Sequence, residues 1–95
     1  MTSVDLIATI PARDETVAEV RALLDAYAKH CLAMDGTERF EVYLDRDARQ
    51  QVVVIERYRD EDAFRRHLAD PENGVLNAKL ADLTDGGSTL RFLAG

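Results

Sequence analysis

Tryptophan is missing from this chain of 95 residues, and cysteine occurs once, as Cys31. A single thiol can form no internal disulfide. A chain this short buries only about 60–65% of its unfolded surface. Its thin core therefore needs help from a metal or a partner subunit. Metal ligands are just as scarce. His30, His67 and Cys31 are the only nitrogen and sulfur ligands. His30 and Cys31 are adjacent and diverge on a helix, and neither Cys-x-x-Cys nor His-x-x-x-His spacing occurs. The expectation is self-association, with no metal and no cofactor.

Positive charge is also short. Lysine and arginine number 12 against 18 acidic residues, for a formal charge of −6 at pH 7. No basic footprint is left for nucleic acid or for an anionic membrane surface. The excess acid reads as simple solubility. No apolar run is long enough to span a membrane. Met1 to Asp5 carry neither a basic nor an apolar leader region, which, with the lone thiol, predicts a cytoplasmic protein. Repeats, low-complexity segments and linkers are missing too, so residues 1–95 are expected to form one domain.

What is present is a clean alternation of periods. Val4, Leu6, Ala8 and Ile10 alternate with Ser3, Asp5, Ile7 and Thr9, predicting a strand over 3–10 that Pro11 ends. Val17, Val20, Leu24, Tyr27 and Cys31 form one stripe of a helix over 15–34. Asp14 or Thr16 can cap it; Thr16 and Glu19 have capping-box spacing. Gly36 is a natural stop. A second strand over 38–45 puts Phe40, Val42 and Leu44 on one face and Arg39, Glu41 and Tyr43 on the other. A polar turn over 45–49 leads into a returning strand over 50–58. There Val52, Val54, Glu56 and Tyr58 share one face; Val53, Ile55 and Arg57 share the other. A helix follows over 60–69 with Asp60 as N-cap. Asp70-Pro71 interrupts it. A short helix resumes over 75–83, and residues 89–94 form the last strand.

The order βαββαβ predicts an α+β, ferredoxin-like fold with a four-stranded antiparallel sheet. Its helices cover only one sheet face. The other carries Val53 and Ile55, and an exposed apolar patch of that kind marks an interface. A face-to-face homodimer is expected.

Two stretches then carry a resemblance. One is Arg39-Phe40-Glu41-Val42-Tyr43-Leu44. The other runs from Val53 through Glu56, Tyr58 and the acidic start Asp60-Glu61-Asp62 to His67-Leu68-Ala69-Asp70-Pro71. In this order they resemble the central block of the antibiotic biosynthesis monooxygenase family, over about residues 37–83. The resemblance implies a dimeric α+β barrel with a pocket between each sheet and its own helices. It also implies a choice of activities, among them cofactor-independent oxygenation of anthrones and quinols, haem degradation and isomerisation, so the fold does not fix the function. Many members follow the proline with a histidine and an aromatic residue; here Glu72-Asn73-Gly74 stands. The haem-degrading members depend on a tryptophan and a first-strand asparagine. This chain has no tryptophan, and its asparagines are Asn73 and Asn77, which argues against haem degradation.

Oxygenation without a cofactor needs a base tuned near neutral pH and an apolar pocket. His67 is the first candidate base, because an unperturbed imidazole titrates near about 6.5. The structural alternative is a helix histidine bonded to Glu56 or to a backbone carbonyl. Glu56 lies on an apolar face, where a carboxylate is costly unless paired. It can orient His67 or act as base with a raised pKa. Otherwise it pairs with Arg39 or Arg91, or across a dimer interface. Tyr58, Tyr43 and Tyr27 can donate to a quinone or phenol oxygen, or serve as core bodies with a wet hydroxyl. Phe40 and Phe64 are candidate pocket walls, and with Phe92 candidate core. His30 and Arg65-Arg66 read as solvated helix residues, and Cys31 as an inert core thiol. Three functions fit: a monooxygenase of an aromatic or quinol-type small molecule, an isomerase using the same base, and a ligand-binding dimer without activity.

Overall fold

Strand β1 (Val4–Pro11) and helix α1 (Val17–Leu32) open the chain, followed by the hairpin β2 (Thr37–Leu44) and β3 (Gln51–Tyr58). Helices α2 (Glu61–Ala69) and α3 (Pro71–Ala81) precede the last strand, β4 (Thr89–Leu93). These bounds come from a computed structural model, which describes residues 2–94. Met1 and Gly95, the ends of the expected domain, lie outside the described residues. The sheet order is β2-β3-β1-β4 with every neighbouring pair antiparallel. This is the expected α+β, ferredoxin-like arrangement.

The period-two pattern sets which side chains meet. In the register Leu6 pairs with Glu56, Ala8 with Val54 and Ile10 with Val52. Phe40 pairs with Glu56 from the other side. All these residues are buried, on the face that the helices cover. Val20, Leu24, Tyr27 and Cys31 of α1 and Leu76 and Leu80 of α3 close the core above them.

Three local expectations are corrected. Pro11 ends β1 as expected but belongs to it, pairing with Gln51 one residue beyond the expected bound at Ile10; the strand end tolerates a residue without an N–H. Thr16 precedes α1 but makes no side-chain cap. Its hydroxyl donates instead to the carbonyl of Leu83 at 2.6 Å and accepts from the Arg13 amide at 3.0 Å. Helix α3 starts at Pro71, four residues before the expected Val75. Asp70 is extended (φ −63°, ψ 128°) and its carboxylate faces the Glu72 amide. Proline at the first helical position needs no hydrogen bond, so Asp70-Pro71 starts a helix as well as ending one. Asp60 does cap α2, accepting from the Ala63 amide at 2.8 Å.

The helices cover the sheet unevenly. Leu90 and Phe92 pair with Ala8 and Leu6, so they point to the helix side, yet they remain 48% and 56% exposed. This thin cover over β1 and β4 leaves room for a cavity.

Candidate active site

A cavity of about 230 Å³ lies between the sheet and the three helices. Its floor is Leu6, Ala8, Ile10 and Val54, its walls include Leu24, Phe40, Phe64 and Leu80, and Leu90 stands at its margin. Two ionisable side chains, Glu56 from β3 and His67 from the last turn of α2, face into it.

Both are buried, at 7% and 6% exposure. Glu56 reaches the site because strand alternation places it between Val54 and Tyr58 on the helix-facing side. Its partner is Tyr58, two residues on along the same face, whose hydroxyl donates to Glu56 Oε1 at 2.5 Å. The expected alternatives fail: Arg39 is engaged by Glu41 at 2.9 Å on the opposite face, and β4 carries Arg91 on that face too, opposite Ile7. Burial pushes the Glu56 pKa up to about 7, against a smaller lowering by the Tyr58 hydrogen bond. This carboxyl therefore exchanges a proton near neutrality.

His67 Nε2 lies 3.9 Å from Glu56 Oε1. That is adjacent but too long for a hydrogen bond. Its Nδ1 is 3.8 Å from the Cys31 sulfur. Burial lowers the His67 pKa, with Asp70 opposing and His30 adding to the shift. Near neutrality the pair is thus a neutral imidazole beside a carboxyl that is about half ionised. Aromatic rings cage His67: Tyr58 at 4.9 Å, Tyr27 at 6.0 Å, Phe64 at 6.3 Å and Phe40 at 6.4 Å between centroids. Cys31 is fully buried, and burial pushes its thiol up to about 12. It is an inert core residue.

The structure brings together six of the seven expected site residues and separates one. Glu56, His67, Tyr27, Phe40 and Phe64 line the cavity. Tyr58 lies directly beneath, wholly buried, and acts on the site through Glu56. Tyr43 is the exception. It alternates away from Phe40 and Val42, is 47% exposed, and donates to Glu41 on the other sheet face. Phe92 leaves the core, meeting Phe64 edge-on at 5.7 Å. His30 is partly exposed but bonds Asp70.

Sequence reasoning missed Asn73, Asn77 and Ser88, which also line the cavity. Tyr27 donates to Asn73 Oδ1 at 3.3 Å. The signal for the two asparagines was available once α3 is started at Pro71: Asn73, Leu76, Asn77 and Leu80 then recur at helical spacing on one side. Among the described residues, no three histidine, cysteine or carboxylate side chains converge to hold a metal ion. No helix among them is long and apolar enough to cross a membrane.

A ferredoxin-like domain with a largely apolar pocket between sheet and helices, and a buried carboxyl–imidazole pair in it, defines the class of small α+β pocket proteins. Residues 4–78 match the sequence model of the antibiotic biosynthesis monooxygenase family, and the chain belongs to that family. Among solved structures it is similar to Rv0793 from Mycobacterium tuberculosis, with 29% identity and a TM-score of 0.90 over 99% of this chain and 95% of that one. It is also similar to a variant of SnoaB, a cofactor-independent oxygenase from Streptomyces nogalater. That pair shares 23% identity, with a TM-score of 0.85 over 100% and 94% of the two chains. A conserved protein from Methanosarcina mazei Go1 superposes with a TM-score of 0.90 at 17% identity, over 98% and 92%. A search of curated proteins finds no match.

Proposed function

We propose that this protein is a cofactor-independent monooxygenase of an aromatic, quinol-type small molecule, working as a cytoplasmic homodimer. The observation that carries this reading is the Glu56–His67 pair in an apolar cavity. A carboxyl with its pKa near 7 is matched to removing a phenolic or activated C–H proton at neutral pH. Glu56 thereby becomes the first candidate base, ahead of His67. The neutral imidazole beside it can take over the proton once substrate closes the gap between them.

Proton removal leaves an electron-rich anion, which passes an electron to dioxygen. Recombination at the carbon gives a peroxide anion that takes the proton back from Glu56; loss of the second hydrogen on that carbon as a proton, with cleavage of the O–O bond, leaves a carbonyl and releases the other oxygen as water. The protein's part is to bind the ring between Phe40, Phe64 and Leu24, to take the proton at Glu56 Oε, and to keep bulk water out. Family membership and the oxygenase name borne by SnoaB support the same reaction class.

Oxygen uptake by metal-free protein with a panel of hydroquinones and anthrones tests this. Uptake should fall at least a hundredfold in Glu56→Gln, as removal of a general base costs about 10²–10⁴-fold. It should fall less in His67→Ala. Turnover of a panel member without oxygen uptake would instead make the same pair an isomerase. Ligand-dependent stabilisation without any product would leave a binding protein.

The homodimer reading rests on the bare sheet face. Ile7 pairs with Ile55 and Thr9 with Val53, and Glu41 and Tyr43 flank them. These apolar side chains are only half-buried. A second copy laid across them would cover Ile7, Val53, Ile55 and the ring of Tyr43. Light scattering that returned 10.6 kDa at micromolar concentration would rule this out.

A further inference from the structure

The cavity does not end at its own mouth. Asn77, Leu80 and Ser88 line it and also line a second hollow of about 400 Å³, between the last turns of α3 and the turn that precedes β4. The two hollows adjoin across these three side chains, and both are mostly apolar. No residue lining the outer part is charged, although 32% of the chain is. Asp85, next to the Gly86–Ser88 segment, is engaged by Arg13, whose guanidinium donates to Asp85 Oδ1 at 3.1 Å. The exposed Asn77 amide and Ser88 hydroxyl present donors and acceptors instead.

The outer wall is also fixed in place. The Asp85 amide donates to the Pro11 carbonyl at 2.8 Å. The Thr16 hydroxyl holds the Leu83 carbonyl, and Arg13 holds that of Asp82 at 3.2 Å. A wall pinned this way needs little ordering when a ligand binds. Glycines leave it open. Gly86 has φ +91°, which explains it locally. Gly87 has no such need: its φ is not positive, and a Cβ there would meet nothing within 4 Å. Neither backbone nor packing calls for glycine at this position.

We propose that the substrate has two parts, a flat apolar ring system held against Glu56 and His67 and a neutral, hydroxyl- or amide-bearing extension that lies in the outer cleft against Asn77 and the Gly86–Ser88 segment. This rests on the aromatic-substrate reading above and adds to it the chemistry of the far end of the molecule.

Three probes test it by NMR titration of the backbone and side-chain amides: β-naphthol, a dihydroxynaphthalene carrying one β-glucoside, and hydroxynaphthoate. β-Naphthol should perturb the cavity residues alone. The glucoside should also shift Ala81, Thr84, Gly86 and Gly87, which line only the outer hollow, and bind about tenfold more tightly, the gain from one or two added hydrogen bonds. The anionic naphthoate should gain nothing. Gly87→Leu adds a side chain to a residue that lines the outer hollow without straining the backbone, and should remove the glucoside's advantage while leaving β-naphthol binding as it was. A glucoside that binds no tighter than β-naphthol, or keeps its advantage in Gly87→Leu, overturns the two-part substrate and leaves the oxygenase reading intact. An equal gain for the naphthoate overturns the neutrality of the extension. If β-naphthol itself does not bind, the aromatic-substrate reading falls and this inference falls with it.

Discussion

Replacing Tyr58 by phenylalanine tests the electrostatics of the site with the least disturbance of its packing. Tyr58 is fully buried and its ring is tilted against Phe64, 5.3 Å between centroids. Phenylalanine keeps that ring and removes only the hydroxyl, which donates to Glu56 Oε1. A hydrogen bond to a charged group contributes about 1.5–3 kcal/mol, equivalent to about one to two pKa units. Burial already holds Glu56 at about 7, so Tyr58→Phe should carry it to roughly 8–9. Carbon-detected NMR of the glutamate carboxyls follows the titration directly. If Glu56 is the base, the acidic limb of the oxygen-uptake profile should move up by the same interval. A Glu56 titration unchanged in Tyr58→Phe would refute the reasoning, because the hydroxyl would then not be its donor. A downward move would refute it more deeply, since burial would not be the dominant influence.

Glu56→Gln should change the pH dependence of stability. A carboxyl raised from about 4.3 in the unfolded chain to about 7 in the fold keeps the folded state better protonated, so its contribution is full below the lower value and lost as pH rises through 7. Relative to wild type, Glu56→Gln should therefore gain roughly 2–5 kcal/mol between pH 4 and pH 9 in urea melts; a pH-independent difference would contradict it. His67 works the opposite way, losing stability as pH falls below its unfolded value of about 6.5, and comparing His67→Ala with wild type over that range separates the two. Gly36 has φ +93°, and a Cβ there would lie 2.5 Å from the Ala63 Cβ. Gly36→Ala should cost roughly 2–5 kcal/mol from strain and overpacking together, read from denaturant midpoints. Asp60→Ala removes the cap of α2 and should cost about 1 kcal/mol; a loss near that of Gly36→Ala would mean that Asp60 does more than cap.

The fold was legible because its elements announce themselves by period. Leu6-Ala8-Ile10 and Val52-Val54 alternate, Val20-Leu24-Tyr27-Cys31 recur at three and four, and these faces meet in the structure as the patterns require. What misled was punctuation. Proline was read as an end at both Pro11 and Pro71. At Pro11 it does end the strand, as its last rung, but at Pro71 it opens a helix. A residue that removes an N–H is tolerated wherever that N–H has no partner, which includes both kinds of terminus. Reading Asp70 as an N-cap would have restored α3 and with it Asn73 and Asn77 in the cavity wall.

The site was legible in its members and not in their partnerships. Alternation alone puts Glu56 on the apolar face and Tyr43 on the other, so Tyr43 could have been set aside from the register of its own strand. The same rule puts Tyr58 beside Glu56, since residues two apart on a strand are neighbours on one face. A buried carboxylate must find a donor. Tyr58 is the residue on that face able to supply one, so no arginine from a distant strand was needed. His67 was harder, because a helix residue's approach to a strand depends on how α2 is set down. That is fixed by contacts such as Gly36 against Ala63 and by the Asp60 cap. The proton-transfer pair is thus an outcome of packing: β3 dictates Glu56, while α2 decides whether His67 arrives within reach of it. A change that shifts α2, as Gly36→Ala does, should therefore alter the titration of Glu56 without touching either residue of the pair.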